Sequence, residues 1–449
     1  MGKFNIGDFA WLSDNRWIYI TGKRTSIQKD INNGGSINEE IVYSSQFIGN
    51  TKNPSQPFII GDIKEYKAEE LFTYDEICNK KENTVKTFRK DEVDQVFDMV
   101  NLSKVNFNGK SHEMGETTAN CYVIKKCGRY CLPLVYGNAL VNGEANPKAY
   151  TRKGKEENTQ PFYDAYNKEI TQPWIEGCVS GEVVGNDSPE DYVIDNIKVM
   201  EDGRYMEFEV TKFPELGGNA ILAVKDKEGN VLWSWHLWAY ADEIVDINGF
   251  MNVNLGWKWY DSEKKSGYNP HYQWGRKDPM LENCNICNAA TNSFGEAIQK
   301  PGTFFCYESG NYNWVTVDGK SVNYYNYWNA DCDGEDLMDL EVVKTVYDPC
   351  PVGFSIPKGD AFKGFNEDDG GEWEGGFTWN RRYFPAAGSR GRTSGSIYYV
   401  GSGGYYWSSA AYSRTYAYYL YFYSTYVNPR NASSRASGFS VVGVMEGKK

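Results

Sequence analysis

A few groupings of side chains in this sequence could do chemistry. Cys284-Asn285-Ile286-Cys287 has the C-x-x-C spacing of half a zinc site, where two neighbouring thiolates share one tetrahedral ion. No second C-x-x-C or H-x-x-x-H follows at a matching distance, so free or locally paired thiols are expected for the ten cysteines. Asn329-Ala330-Asp331-Cys332-Asp333-Gly334 opens like a calcium loop, but its first position is Asn and its twelfth is Leu340. A solvated acidic loop is expected there, with an irregular Ca²⁺ site on Asp331, Asp333 and Asp336 as the alternative. Asp368-Asp369 could supply a glycosidase pair, yet carboxylates in Gly-rich sequence are ordinarily solvated. Three histidines, and no G-x-S-x-G, H-E-x-x-H or Gly-rich phosphate loop, give other hydrolases no footing.

Trp233-Ser234-Trp235-His236-Leu237-Trp238 places Trp233 and Trp235 on one face of a strand. They could stack on a sugar or aromatic ligand; a core strand is the expected reading, with His236 as a hydrogen-bonded packing residue.

The densest feature lies near the C-terminus. Eleven tyrosines fall within Tyr398–Tyr426, where proportion would place about two. From Gly375 to Met445 there is no Asp, Glu or Lys, but there are seven arginines. In a chain of formal charge −13 this reads as an island of positive, aromatic surface. Tyr, Ser, Gly, Asn and Arg are the residues of adaptable binding surfaces. Tyr418, Leu420 and Phe422 alternate with Tyr419, Tyr421 and Tyr423, so a strand sends the two sets to opposite faces. With Leu420 and Phe422 buried, Tyr419, Tyr421 and Tyr423 are expected to form an outward ladder. The residues expected to meet a ligand are Tyr405, Tyr412, Arg414, Tyr416, Tyr419, Tyr421, Tyr423, Tyr426 and Arg430.

The elements that must position these residues are strands. Aromatics are 16% of the chain and charged residues 24%, which favours a folded, β-rich protein. Acidity argues against nucleic acid as a partner, and no apolar run is long enough to span a membrane as a helix. Met1-Gly2-Lys3 runs straight into polar sequence, without the pattern of a signal peptide. Residues 1–115 read as a small β-rich domain of unknown type, with a helical patch at Glu92–Val100. Residues 116–243 read as a β-sandwich. It would start with a hairpin over 120–139 and continue through strands at Ile194–Met200, Tyr205–Val210, Asn219–Val224 and Val231–Trp238. Residues 244–449 form the last unit.

That last unit carries N-L-G (254–256), Y-Q-W-G-R-K-D-P (272–279), D-P-C-P-V-G-F-S-I-P (348–357), A-A-G-S-R (386–390), G-Y-Y-W-S-S (404–409) and R-A-S-G-F-S-V (435–441). In this order they resemble the FISUMP (major paralogous) domains of Bacteroidetes-type surface proteins, which are similar to the C-type-lectin-like fold. The upstream blocks T-A-N-C-Y-V-I, L-V-Y-G-N-A and I-L-A-V-K-D-K-E-G-N-V-L-W-S-W-H-L-W resemble fimbrillin-associated members of that group. The stretch over about 398–439 resembles the variable region written by a diversity-generating retroelement. There, copying errors at template adenines fill slots within a fixed frame. The frame would be Tyr406–Ser409, Ala417-Tyr418, Leu420, Phe422, Val427–Pro429, Arg435-Ala436 and Gly438–Val441, with Val442 departing from the usual S-V-R.

The fold class expected is therefore mostly β, with β-sandwich domain(s) followed by an α+β, C-type-lectin-like C-terminal domain. The resemblance implies a lipid-anchored surface protein or pilus-tip adhesin, extracellular, with a protein or glycan on a host or neighbouring cell as partner and pilus subunits as further partners. No catalysis is expected. The lectin-like fold also hosts formylglycine-generating enzymes, but their late cysteine is missing, since the last one here is Cys350. The alternative is a glycan-binding module or enzyme of a polysaccharide-utilisation system, working through Trp233, Trp235 and the acidic loops.

Overall fold

Short β-prone runs separated by turns fold here into mostly antiparallel sheets. A computed structural model describes residues 3–4, 9–12, 17–30, 36–49, 58–67, 70–72, 99–111, 115–260, 266–307, 312–317, 320–321, 324–366 and 373–447. The chain divides after Met99 into two compact units, Met1–Met99 and Val100–Lys449. Thus the division expected near residue 115 falls earlier, and residues 116–243 and 244–449 belong to one unit.

The first unit is a five-stranded antiparallel sheet in the order Phe58–Lys67, Ser36–Gly49, Trp17–Asp30, Phe9–Leu12, Leu71–Phe72. Phe4, Ala10, Ile18, Ile20 and Leu71 form its buried cluster. Of the helix read over Glu92–Val100, residues 92–98 lie outside the described ones; Met99 and Val100 open a strand, Met99–Asn101. The pair Asp368-Asp369 also lies outside them, as does His112.

The second unit begins with two four-stranded sheets. One runs Ser180–Asn186, Gly218–Lys225, Val231–Ala239, Cys121–Ile124; the other runs Val193–Val199, Tyr205–Lys212, Gly128–Pro133, Met99–Asn101. They lie so close that a Cβ on Gly181 would meet Met206 Sδ of the other sheet at 2.3 Å. The hairpin expected over 120–139 does not form. Cys121–Ile124 instead pairs parallel with Val231–Ala239, while Gly128–Pro133 pairs with Tyr205–Lys212 in the other sheet. The connection between them carries the chain across the sandwich, held where Lys125 Nζ donates to the carbonyls of Tyr240 and Asp242.

Every residue of Val231–Ala239 is buried, because this strand is covered on both sides. Trp233 packs edge-on against Tyr136 (5.0 Å) and stacks on Tyr347 (6.2 Å). Lys277 Nζ sits 4.5 Å above its ring and also donates to Ser234 O and Asp278. A stacking platform on Trp233 and Trp235 is therefore ruled out by burial; both are core.

The remainder of the unit is built from short strands and loops. Its only α-helix among the described residues is Phe294–Gln299, capped by Ser293 Oγ accepting from Glu296 N–H. One contacting cluster of buried side chains draws members from Leu102 to Val442, so one core serves both stretches. Polar residues bridge them too. His236 Nε2–H donates to Asn219 Oδ1 (2.8 Å), and its Nδ1 accepts from the Tyr272 hydroxyl (3.3 Å).

Burial holds both His236 and His271 near a pKa of about 3, with the Arg390 charge adding to the effect at His271. The unfolded chain takes up protons below about 6.5 that these rings refuse, so their stabilisation is complete above that pH and lost as pH falls towards 3. NMR ring shifts of the two are expected to stay flat from pH 8 to 5, while the melting temperature declines below pH 6.5. A ring titrating near 6.5 would contradict this packing.

Candidate functional site

The tyrosine stretch forms a three-stranded antiparallel sheet, Gly404–Ala411, Tyr416–Tyr423 and Tyr426–Ser434. Its register sets Tyr405 opposite Tyr421 and Trp407 opposite Tyr419, and closes the second hairpin with Tyr423 opposite Tyr426. Leu420 and Phe422 occupy one face, as their alternation requires. Phe422 stacks on Phe365 (5.6 Å) and Tyr406 (5.9 Å), and Gly404 faces it because a Cβ there would meet the ring at 2.1 Å.

The opposite face carries Tyr405, Trp407, Tyr419, Tyr421 and Tyr423, and it changes character along its length. At one end Phe439 covers it, 4.6 Å from Tyr419 and 4.3 Å from Trp407. Tyr419, expected to point outward, is consequently buried at 7% exposure. Towards the hairpin tip the cover ends: Tyr421 is half-buried, and Tyr423 and Tyr426 are 38% and 40% exposed. The rings touch in sequence, Tyr405–Tyr421 at 4.9 Å, Tyr421–Tyr423 at 5.8 Å and Tyr423–Tyr426 at 5.4 Å. Burial first, and neighbouring phenols second, push the Tyr405 hydroxyl well above its ordinary pKa, so it stays protonated.

Three residues outside the sequence-derived set extend this ladder. Tyr399 reaches Tyr405 at 6.2 Å and Tyr398 at 6.2 Å, and with Val400 they are the most exposed of the group, Tyr399 at 62%. They come from a different strand, Ile397–Val400. Tyr399 adopts a left-handed φ of 64°, uncommon for a residue with a side chain. Their signal was present, as they open the same acid-free, tyrosine-rich window, but no sequence periodicity ties them to Tyr421.

The other residues of the set lie apart from the ladder. Tyr412 meets Tyr418 edge-on at 5.3 Å, and Tyr418 bonds the Asp336 carboxylate. Tyr416 packs on Tyr312 (5.5 Å). Arg414, expected to meet a ligand, is engaged within the unit, donating to Glu157 O (3.0 Å) and Asn158 Oδ1 (3.1 Å) over the Tyr325 ring. Arg430 is exposed.

The island of seven arginines is not all surface. Arg382, Arg390 and Arg435 are buried, serving backbone carbonyls such as Met251 O, Leu281 O and Tyr324 O. Burial lowers the Arg382 and Arg435 pKa to about 10, where both remain charged at neutral pH.

At the acidic loop, Asp331 pairs with Lys153 and Asp336 accepts from Tyr418, while Asp333 lies against Gly154. Among the described residues, no three His, Cys, Asp or Glu side chains gather as a metal would need, at Cys284 and Cys287 or elsewhere.

Residues 367–442 match a family model described as a domain of unknown function (DUF8237), a stretch that contains all nine residues of the sequence-derived set and the added Tyr398–Val400. No curated protein and no solved structure matches the chain.

Cover, and not side-chain direction alone, separates structural from exposed tyrosines. Tyr419→Ser is expected to cost about 3 kcal/mol, as truncation of a buried aromatic does. Tyr423→Ser should stay within about 0.5 kcal/mol. Chemical denaturation of the two variants checks the contrast, and equal losses would mean that Tyr423 is also part of the core.

Proposed function

We propose that the chain is an extracellular adhesin whose C-terminal part is a C-type-lectin-like domain displaying a Tyr/Arg surface diversified by a retroelement. In this reading it sits on the outer cell surface or at a pilus tip and binds a protein or glycan on a host or neighbouring cell, without catalysis.

The observation that carries the proposal is how exposure sorts the stretch. Frame residues Tyr406–Ser409, Ala417, Leu420, Phe422, Arg435-Ala436 and Gly438–Val441 are buried. Tyr412, Arg414, Tyr423–Tyr426 and Arg430, which fall between them, are exposed. Tyr419, Ala410, Ala411, Ser434 and Ser437 break the pattern as buried slots, and Tyr418 and Val427–Pro429 as half-buried frame residues. A surface of touching, partly exposed phenols offers large rigid contact area with hydroxyl donors at its edge, which favours protein or glycan contact. The alternative that used Trp233 and Trp235 loses its platform to burial.

The DNA beside the coding region is expected to hold a reverse transcriptase and a near-copy of the 3′ coding repeat differing only at adenines. Glycoside hydrolase and transport genes in that place would overturn the proposal. In the protein, Tyr421→Ser/Tyr423→Ser/Tyr426→Ser should lower adherence of protein-coated beads to target cells at least tenfold with little change in melting temperature. Undiminished adherence would remove the ladder from the binding face.

A further inference from the structure

The second unit also carries a cleft of about 810 Å³ that no ladder tyrosine lines. Pockets that enclose small ligands run from about 300 to 1,000 Å³, so it is large enough for a short oligosaccharide. Its walls come from separate segments: the turn Pro147–Ala149, the loop at Val342–Lys344, the hairpin tip at Arg381 and the strand Val444–Met445.

The charge of the lining departs from that of the chain. Overall, 60 acidic residues outnumber 47 basic ones. In the cleft, four cations (Lys148, Lys344, Lys358, Arg381) face three carboxylates (Asp246, Glu341, Glu446). Two cations are already engaged, Lys344 with Glu446 at 3.1 Å and Lys358 with Glu341 at 2.8 Å. Lys148 and Arg381 make no ion pair or side-chain hydrogen bond among the described residues, and both are exposed. Screening confines such effects to about 8 Å at physiological salt, so the lining's own charges, with cations one in excess, govern the cleft and the distant acidic surface does not.

Arg381 is held in place at a conformational cost. Trp379 pairs with Arg382, leaving Asn380-Arg381 as a two-residue turn with φ of 48° and 65°. Turns with both central residues left-handed ordinarily take Asn-Gly. An arginine in the glycine position, unpaired and lining a cleft, is a local strain of the sort kept at binding sites. Around it, Thr117, Asn146, Asn248 and Ser355 bring hydroxyl and amide groups, and Val141 and Val342 bring apolar surface.

We propose that this cleft binds a uronic-acid oligosaccharide. Arg381 and Lys148 take its carboxylates, the amide and hydroxyl side chains take its hydroxyls, and the valines meet its C–H faces. Guanidinium groups hold carboxylates in a bidentate fork, which gives the site its selectivity for an acidic sugar over a neutral one.

Isothermal titration of the full chain with trigalacturonate, maltotriose and hexaglutamate tests this. Trigalacturonate should bind and the other two should not. Arg381→Gly should weaken binding at least tenfold while keeping or raising the melting temperature, since glycine relieves the left-handed turn. Lys148→Ala should weaken it similarly, and Tyr421→Ser/Tyr423→Ser should leave it unchanged. The proposal is overturned by absent trigalacturonate binding, by equal affinity for maltotriose, or by an Arg381→Gly variant that binds as the wild type does. Hexaglutamate binding as tightly would overturn it in favour of an acidic peptide.

Discussion

A buried carbonyl without a donor costs about 1–3 kcal/mol, and the second unit is organised around meeting that demand in one loop. Residues 345–351 run through the middle of the unit, with Thr345–Cys350 buried. Asn120 Nδ2 donates to Val346 O (2.6 Å) and Asp348 O (2.8 Å), and Asn138 Nδ2 to Thr345 O (2.7 Å). The Asp348 carboxylate accepts from the N–H groups of Cys350 and Ile356, and Lys344 reaches Pro351 O. Asn120 comes so close to Gly137 that any Cβ there would meet its amide oxygen at 2.1 Å. Sandwich side chains thus complete the hydrogen bonding of a distant loop, so the two stretches share one core.

The same economy explains the acid-free segment. Guanidinium groups have five donors, and carbonyl oxygens can satisfy them without any carboxylate. Carbonyls accept from the terminal nitrogens of Arg390 and Arg435 and from Arg382 Nε, while Nε of Arg390 and of Arg435 stays buried without an acceptor among the described residues; Arg435 also lies over Trp274 at 4.4 Å. The exposed end of the tyrosine sheet, Tyr423–Tyr426, carries no charged side chain, so residues there can change without stranding a buried charge. Stability there rests on Phe422, Tyr406, Trp407 and Phe439, whose rings are packed on both sides of the sheet.

Much of this was legible in the residues. The β-rich class followed from aromatic, turn-punctuated runs, and the strands read at 194–200, 205–210, 219–224 and 231–238 lie within one or two residues of those formed. Local patterning could not reveal that Cys121–Ile124 and Gly128–Pro133 belong to different sheets, because a strand's partner is a non-local choice. It also could not place the division of the chain at Met99, since shared burial between distant stretches leaves no mark on composition.

For the candidate site, the sequence by itself determined that Tyr419, Tyr421 and Tyr423 share a face opposite Leu420 and Phe422, because side-chain alternation is a property of the strand backbone. It also determined that this face would be rich in phenol and free of carboxylate. Only the tertiary structure decided which rings are covered. Phe439 arrives from another strand to bury Tyr419, Tyr398 and Tyr399 arrive from a third to lengthen the exposed end, and Glu157 and Asn158 take up Arg414. Periodicity gives a side chain its direction; what lies in that direction depends on segments remote in the chain.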